Sequence, residues 1–104
     1  MNITFQNLID MFIAGKTSGV SGTRGNLKIV GDQLIHYDTV IAERYNKKII
    51  VNETRYSRIT GQIQKMLKQS ISNESIIIVG GVPKNDRTSL VGRLAKEKIH
   101  RKFD

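Results

Sequence analysis

The sequence predicts an α+β domain in which a small, mostly antiparallel sheet packs with three helices, in the order α-β-β-β-α-β-α. Three observations lead to this class. Apolar residues recur at helical spacing in three segments, they alternate with polar residues between positions 26 and 52, and a short apolar run at 75–79 ends at two glycines. We therefore expect a three-stranded meander plus one further strand, and a single domain over residues 1–104.

The first helix is predicted between Thr4, a suitable N-cap, and Ala14, with Gly15 as the C-terminal stop. Its apolar face carries Phe5, Leu8, Ile9 and Phe12. Residues 15–25 contain four glycines and four hydroxyl residues, a composition that offers little to pack. This segment is predicted as a flexible loop.

The meander is predicted from three consecutive segments. Asn26–Val30 leads into Gly31-Asp32, a pair suited to a two-residue hairpin turn with glycine first. Residues 33–44 form a long β-branched segment with apolar side chains on both faces, which indicates a central strand. After a turn at 45–48, residues 48–52 complete the meander.

The second helix begins after Ser57, its predicted N-cap, and presents the apolar residues Ile59, Ile63, Met66, Leu67 and Ile71. Residues 75–79 are predicted as a buried strand ended by Gly80 and Gly81. The third helix is predicted after Pro83 from the helical spacing of Leu90, Val91, Leu94, Ala95 and Ile99.

Composition excludes several classes of chemistry. The absence of cysteine removes disulfides, thiolate catalysis and cysteine metal sites, and the two histidines would need carboxylates beside them to hold zinc. We predict no metal site and no cofactor. Because the sequence shows neither a signal peptide at its start nor an apolar run long enough for a bilayer, we expect a protein of the host-cell cytoplasm without a membrane partner.

Charge is the strongest global signal. The chain has 17 Lys and Arg against 9 Asp and Glu, and residues 53–104 carry 11 of the basic side chains. Such an excess in a small domain is typical of nucleic-acid binding, although a solvated surface also explains it. The residues predicted to contact DNA or RNA are Lys16, Arg24, Lys47, Lys48, Arg55, Arg58, Lys65, Lys68, Arg93, Lys96, Arg101 and Lys102.

The segment Gly15-Lys16-Thr17 resembles the end of a phosphate-binding P-loop. The full motif needs a glycine five positions earlier, where Asp10 stands, and it must follow a strand and open a helix. We therefore reject a nucleotide hydrolase. A glycine loop carrying Lys16 and Arg24 could still wrap a phosphate backbone, and a plain connecting loop is the alternative.

His36, Asp38 and Glu43 suggest a catalytic hypothesis, because the first two are predicted on one strand face and a His-Asp pair can serve as a general base. A partly exposed polar strand face explains them better, and we predict no catalytic residue. Tyr45 and Tyr56 lie near basic residues in sequence, a mixture that suits base stacking or the closure of a core.

Residues 25–42 contain the pattern G-x-x-L-x-x-Y-x-T-x-I-A, and residues 56–60 read Y-S-x-x-T. These motifs resemble a family of small uncharacterised proteins of bacteriophages and mobile elements. The resemblance covers roughly residues 15–67. It implies a phage origin and no particular activity.

The leading hypothesis is a phage-type accessory protein that binds nucleic acid through a basic face, without catalysis. The alternative is an inhibitor of a host defence nuclease, similar to an anti-CRISPR protein, that binds the nuclease or its guide-RNA complex. An enzyme using His36 and Asp38 is a third possibility. A homo-oligomer is compatible with the predicted strand edges.

Overall fold

The computed structural model describes residues 3–21, 25–85, 87 and 89–92, which contain two helices and one six-stranded sheet. The elements follow in the order α1 (Phe5–Ile13), β1 (Ser18–Ser21), β2 (Leu27–Val30), β3 (Gln33–His36), β4 (Thr39–Tyr45), β5 (Lys48–Asn52), α2 (Arg58–Ser70) and β6 (Ile76–Val79). The strands lie in the sheet in chain order. Neighbouring strands are antiparallel, except that β5 and β6 are parallel.

The α+β class is confirmed, but the predicted small, mostly antiparallel sheet with three helices is wrong. The sheet is mixed because α2 returns the chain to the start of β5, so that β6 enters in the same direction as β5. Two additional strands come from segments for which a loop and one long strand were predicted. Most of the predicted third helix, residues 93–99, lies outside the described residues.

β1 corrects the prediction of a loop over residues 15–25. Ser18–Ser21 pairs with β2, and this pairing satisfies backbone groups that a glycine-rich sequence would otherwise leave to water. Gly19 also permits close packing, because a Cβ atom there would lie 2.8 Å from Cδ1 of Leu8 in α1. The glycine that suggested a loop therefore brings a helix close to the sheet.

The long strand predicted over residues 33–44 is divided into β3 and β4. Tyr37 and Asp38 form a two-residue turn between the paired residues His36 and Thr39, and Tyr37 has a φ of 57°. Bulky residues rarely adopt this left-handed conformation, so the alternating pattern concealed the turn. The predicted hairpin turn at Gly31-Asp32 is confirmed, with Val30 paired to Gln33.

Both predicted N-caps are confirmed. The Thr4 hydroxyl accepts a hydrogen bond from the amide of Asn7 at 3.1 Å, and the Ser57 hydroxyl accepts one from the amide of Thr60 at 3.2 Å. The predicted stop of α1 also holds, since Gly15 follows the last turn with a φ of 100°.

The core has two parts, one on each face of the sheet. On one face α1 and α2 pack together over the sheet, with Phe12 and Leu67 fully buried. On the other face Ile35, Val40, Ile50 and Val79 pack against Val82 and Leu90. The segment that follows β6 thus contacts the face opposite the two helices. No helix among the described residues is long and apolar enough to cross a membrane.

The two ends of the sheet hold different elements. The Asn52 end is where β3 and β5 finish, and it also holds the Tyr37-Asp38 turn and the start of α2. The Lys48 end holds the turn between β4 and β5, and α1 and α2 finish there.

Candidate functional site

A pocket of about 370 Å³ opens at the Asn52 end. It forms where the turn between β3 and β4, the first turn of α2 and the segment after β6 meet, and its volume is within the range of small-ligand sites. The lining residues are His36, Tyr37, Asp38, Thr39, Tyr56, Ser57, Thr60, Lys84 and Asn85.

The start of α2 forms one wall of the pocket. The Ser57 and Thr60 hydroxyl oxygens lie 3.0 Å apart, and the Thr60 oxygen lies 2.8 Å from Nδ1 of His36. Gln64 donates hydrogen bonds to the carbonyls of Asn52 and Thr54, so the turn before it projects beyond the end of β5. This projection explains why Ile59, predicted on the apolar face, is 50% exposed.

The first turn of α2 contains no acidic side chain. The partial positive charge at a helix N-terminus is therefore not neutralised by a carboxylate of that turn. Arg58, the first residue of α2, is exposed and adds a full positive charge. The wall formed by α2 is thus electropositive.

His36 is buried deep in the pocket and is 3% exposed. Its ring makes edge contacts with Tyr37, at 4.6 Å between centroids, and with Phe5 of α1, at 6.4 Å. Burial lowers the pKa of His36 below its ordinary value of 6.5, because the charged imidazolium would lose hydration. We conclude that His36 is neutral at pH 7 and braces the Tyr37-Asp38 turn against α1 and α2.

Tyr37 is the most exposed aromatic side chain at the pocket, with 58% of its surface accessible. Its amide donates to the carbonyl of Asn26 at 2.8 Å, and its hydroxyl accepts from Nδ2 of Asn26 at 3.2 Å. These bonds hold a bulky residue in a left-handed conformation that costs about 1 kcal/mol. Strain of this kind concentrates at functional sites, so Tyr37 is a candidate ligand contact.

The segment after β6 is fastened to the sheet by polar contacts. Tyr56 donates its hydroxyl proton to the carbonyl of Val82 at 2.6 Å and accepts from Nδ2 of Asn52 at 2.9 Å. The amide of Asn85 donates to the Thr39 hydroxyl at 2.8 Å. These bonds place Lys84 in the pocket wall, and they give Tyr56 the role of closing the core.

The predicted nucleic-acid contacts divide between the two ends of the sheet. Arg55 and Arg58 lie at the Asn52 end, next in sequence to Tyr56 and Ser57 of the pocket. The residues near the Lys48 end are Lys16, Lys47 and Lys48. On α2, Lys65 is exposed, and Lys68 pairs with Glu53 at 3.4 Å. Five predicted contacts, namely Arg24, Arg93, Lys96, Arg101 and Lys102, lie outside the described residues.

The Lys48 end also contains a cavity, of about 610 Å³, lined partly by Arg44, Lys47 and Lys48. Arg44 and Lys48 have structural roles. Arg44 donates to the carbonyls of Phe12 and Gly31, and the amine of Lys48 donates to the carbonyl of Glu74 at 3.1 Å. Both helices end here, and basic side chains complement helix C-termini. An anionic ligand is favoured less at this end than at the Asn52 end.

His36 and Asp38 both line the pocket, but no hydrogen bond among the described residues joins His36, Asp38 or Glu43 to one another. His36 is buried on the side of α1 and α2, whereas Asp38 is exposed in the turn and not on the strand face predicted for it. Glu43 lies on the opposite face, where it accepts hydrogen bonds from the Ser89 hydroxyl at 2.7 Å and the Leu90 amide at 2.8 Å. Within the described ranges, no group of three or more His, Cys, Asp or Glu residues could hold a metal ion.

Three residues of the pocket were not predicted as site residues, namely Tyr37, Thr60 and Lys84. Tyr37 was assigned to a strand, and the pocket combines segments that are far apart in the chain. Lys84 carried one usable signal, since it follows Pro83 and precedes an asparagine, a sequence typical of an exposed turn.

Comparison of the chain with protein-family models, with curated proteins and with solved structures gives no match. The resemblance to small phage proteins therefore stays a prediction.

Proposed function

We propose that this protein binds nucleic acid at the Asn52 end of the sheet and acts by binding, without catalysis. One observation carries the proposal: the exposed ring of Tyr37 lies in the wall of a pocket that Lys84 also lines, and Arg55 and Arg58 adjoin the pocket residues Tyr56 and Ser57 in the sequence. An aromatic surface beside cations matches the two chemical features of a nucleic acid, flat bases and a phosphate backbone.

Electrostatics supports this choice of ligand. The chain carries a formal net charge of +8. Ion pairs among the described residues form between Arg44 and Asp32 and between Lys68 and Glu53, so within this part of the chain Arg55, Arg58 and Lys84 are not held in ion pairs. Asp38 contributes one exposed carboxylate to the pocket lining. Lysine and arginine that contact phosphates release counterions, and affinity then falls steeply with salt.

A fluorescence anisotropy titration tests the proposal. Labelled single-stranded and duplex DNA and RNA are titrated at about 50 and 200 mM salt, the range over which phosphate contacts weaken strongly. We expect binding at the lower salt and a marked loss at the higher salt. Absence of binding at the lower salt would refute the proposal.

Paired variants locate the contact surface. Arg55→Gln with Arg58→Gln removes two cations from the Asn52 end, and Lys47→Gln with Lys48→Gln removes two from the Lys48 end as a control of equal charge. We expect the first pair to flatten the logarithmic salt slope by roughly 1.5, about two phosphate contacts, and the second pair to flatten it less. Equal effects would contradict the assignment of the site.

A protein partner is the second candidate, as an inhibitor of a host defence nuclease would require. Val20 on β1 and Val30 on β2 are 53% and 47% exposed, and these adjacent strands form one edge of the described sheet. Exposed apolar residues at a sheet edge can support docking of another protein. Capture of a host nuclease that survives nucleic-acid digestion and is lost in Val20→Lys would favour this candidate.

A further inference from the structure

We infer that the pocket at the Asn52 end receives one unpaired nucleotide, with its base against the ring of Tyr37, so that the protein prefers single strands to duplexes. This inference rests on the proposed function and specifies its ligand.

The accessibility of Tyr37 favours it as the surface on which a base stacks. Tyr37 presents more than half of its surface to solvent at the pocket, whereas Tyr45 and Tyr56 are half-buried. A base inside a duplex is covered on both faces by its neighbours, so only an unpaired base can stack on a side chain that lines a concave pocket.

The backbone conformation of Tyr37 also favours it as a stacking surface. Tyr37 occupies the first position of a two-residue turn with a φ of 57°, where glycine or asparagine fits at lower cost. The ring is held there from two sides, by Asn26 through hydrogen bonds and by His36 through an edge contact at 4.6 Å. A prepositioned aromatic ring loses little freedom when a base stacks on it.

The polar groups in the other walls of the pocket also suit a nucleotide. The side-chain amide of Asn85, which is exposed, can exchange hydrogen bonds with the edge of a base, whereas the Ser57 and Thr60 hydroxyls already bond to each other, to the Thr60 amide and to His36. Lys84 supplies a positive charge for the adjoining phosphate. The volume of the pocket, about 370 Å³, suits one nucleotide and not a base pair.

The experiment separates the ring from the fold by replacing Tyr37 with residues that suit its backbone. Tyr37→Gly and Tyr37→Asn remove the ring at a position that tolerates both substitutes, and Tyr37→Phe keeps the ring. Lys47→Gly is the matched control, because Lys47 is also left-handed, with a φ of 65°, and lies at the Lys48 end. Each variant is titrated with a labelled single strand of roughly 12 nucleotides and with the corresponding duplex.

We expect Tyr37→Gly and Tyr37→Asn to bind the single strand roughly 5- to 150-fold more weakly, the effect of losing one stacked base, and to bind the duplex as the parent does. Tyr37→Phe should bind the single strand as the parent does. Lys47→Gly should change single-strand and duplex binding by equal factors.

Two results would count against the inference, and they differ in meaning. The test uses the variant, Tyr37→Gly or Tyr37→Asn, that melts at the same temperature as the parent. If that variant binds the single strand as tightly as the parent, the pocket does not receive a base, and nucleic-acid binding itself still stands. If the parent binds no oligonucleotide at about 50 mM salt, the proposed function fails, and the inference fails with it.

Discussion

Arg44 provides the most direct test of how the fold is held together. Its guanidinium donates to the carbonyl of Phe12 at the end of α1 and to the carbonyl of Gly31, at 2.6 Å, in the turn between β2 and β3. The guanidinium carbon lies 4.5 Å from the centre of the Phe12 ring. One side chain therefore joins a helix end, a hairpin turn and β4.

Replacing Arg44 with Met keeps the apolar stem and removes the charged donors. A hydrogen bond from a charged donor contributes about 1.5–3 kcal/mol, and the contact with the Phe12 ring adds about 0.5–1 kcal/mol. The carbonyl acceptors regain water in part, because the Arg44 side chain is 17% exposed. We expect the free energy of unfolding to fall by about 2–4 kcal/mol.

Urea unfolding followed by circular dichroism measures this change, with an unchanged dependence on urea showing that the folded state is intact. Asp32→Asn is the control. The Asp32 side chain is 69% exposed and pairs with Arg44 at 3.4 Å, so its loss should cost less than about 1 kcal/mol. A loss below about 1 kcal/mol in Arg44→Met, or an equal loss in both variants, would refute this reasoning.

Three further predictions concern single positions. Lys47→Gly should stabilise the protein by about 0.5–1 kcal/mol in thermal unfolding, since Lys47 has a φ of 65° in a turn where glycine is favoured; destabilisation would show that its side chain matters to the fold. Because burial lowers the pKa of His36, the unfolded state takes up its proton first, so stability should be complete above pH 6.5 and decline as the pH falls below it. Parallel pH series of the parent and of His36→Gln check this, and the decline should be shallower in the variant; an equally steep decline in both would contradict the assignment. Ser57→Ala should lower the free energy of unfolding by about 1 kcal/mol through loss of the N-cap of α2, whereas Ser57→Asp should restore it.

The elements predicted well from the sequence are those specified by local signals. α1 and α2 combine a periodic apolar face with an N-cap, and Gly31-Asp32 is a turn for which glycine comes first. The two errors in the sheet have the opposite character. β1 exists because β2 pairs with it and Leu8 packs on Gly19, and the turn at Tyr37 is held by Asn26 and His36, so both depend on tertiary contacts.

The candidate site was predictable only in part. Charge alone indicated Arg55 and Arg58, which adjoin the pocket residues Tyr56 and Ser57 in the sequence. The same criterion also selected Lys47 and Lys48, which lie at the other end, where α1 and α2 finish. Net charge does not distinguish a cation that complements a helix end from one that is available to bind a ligand. That distinction needs the direction of each helix, which comes from the fold.

The attachment of Lys84 has a consequence for dynamics. Residues 82–85 reach the pocket directly after β6, an outer strand that adjoins only β5 within the described sheet. A ligand that contacts Lys84, Tyr37 and the start of α2 together would restrict the motion of β6 relative to the rest of the sheet. Occupancy should therefore slow deuterium uptake by the β6 amides, although none of the residues of β6 lines the pocket.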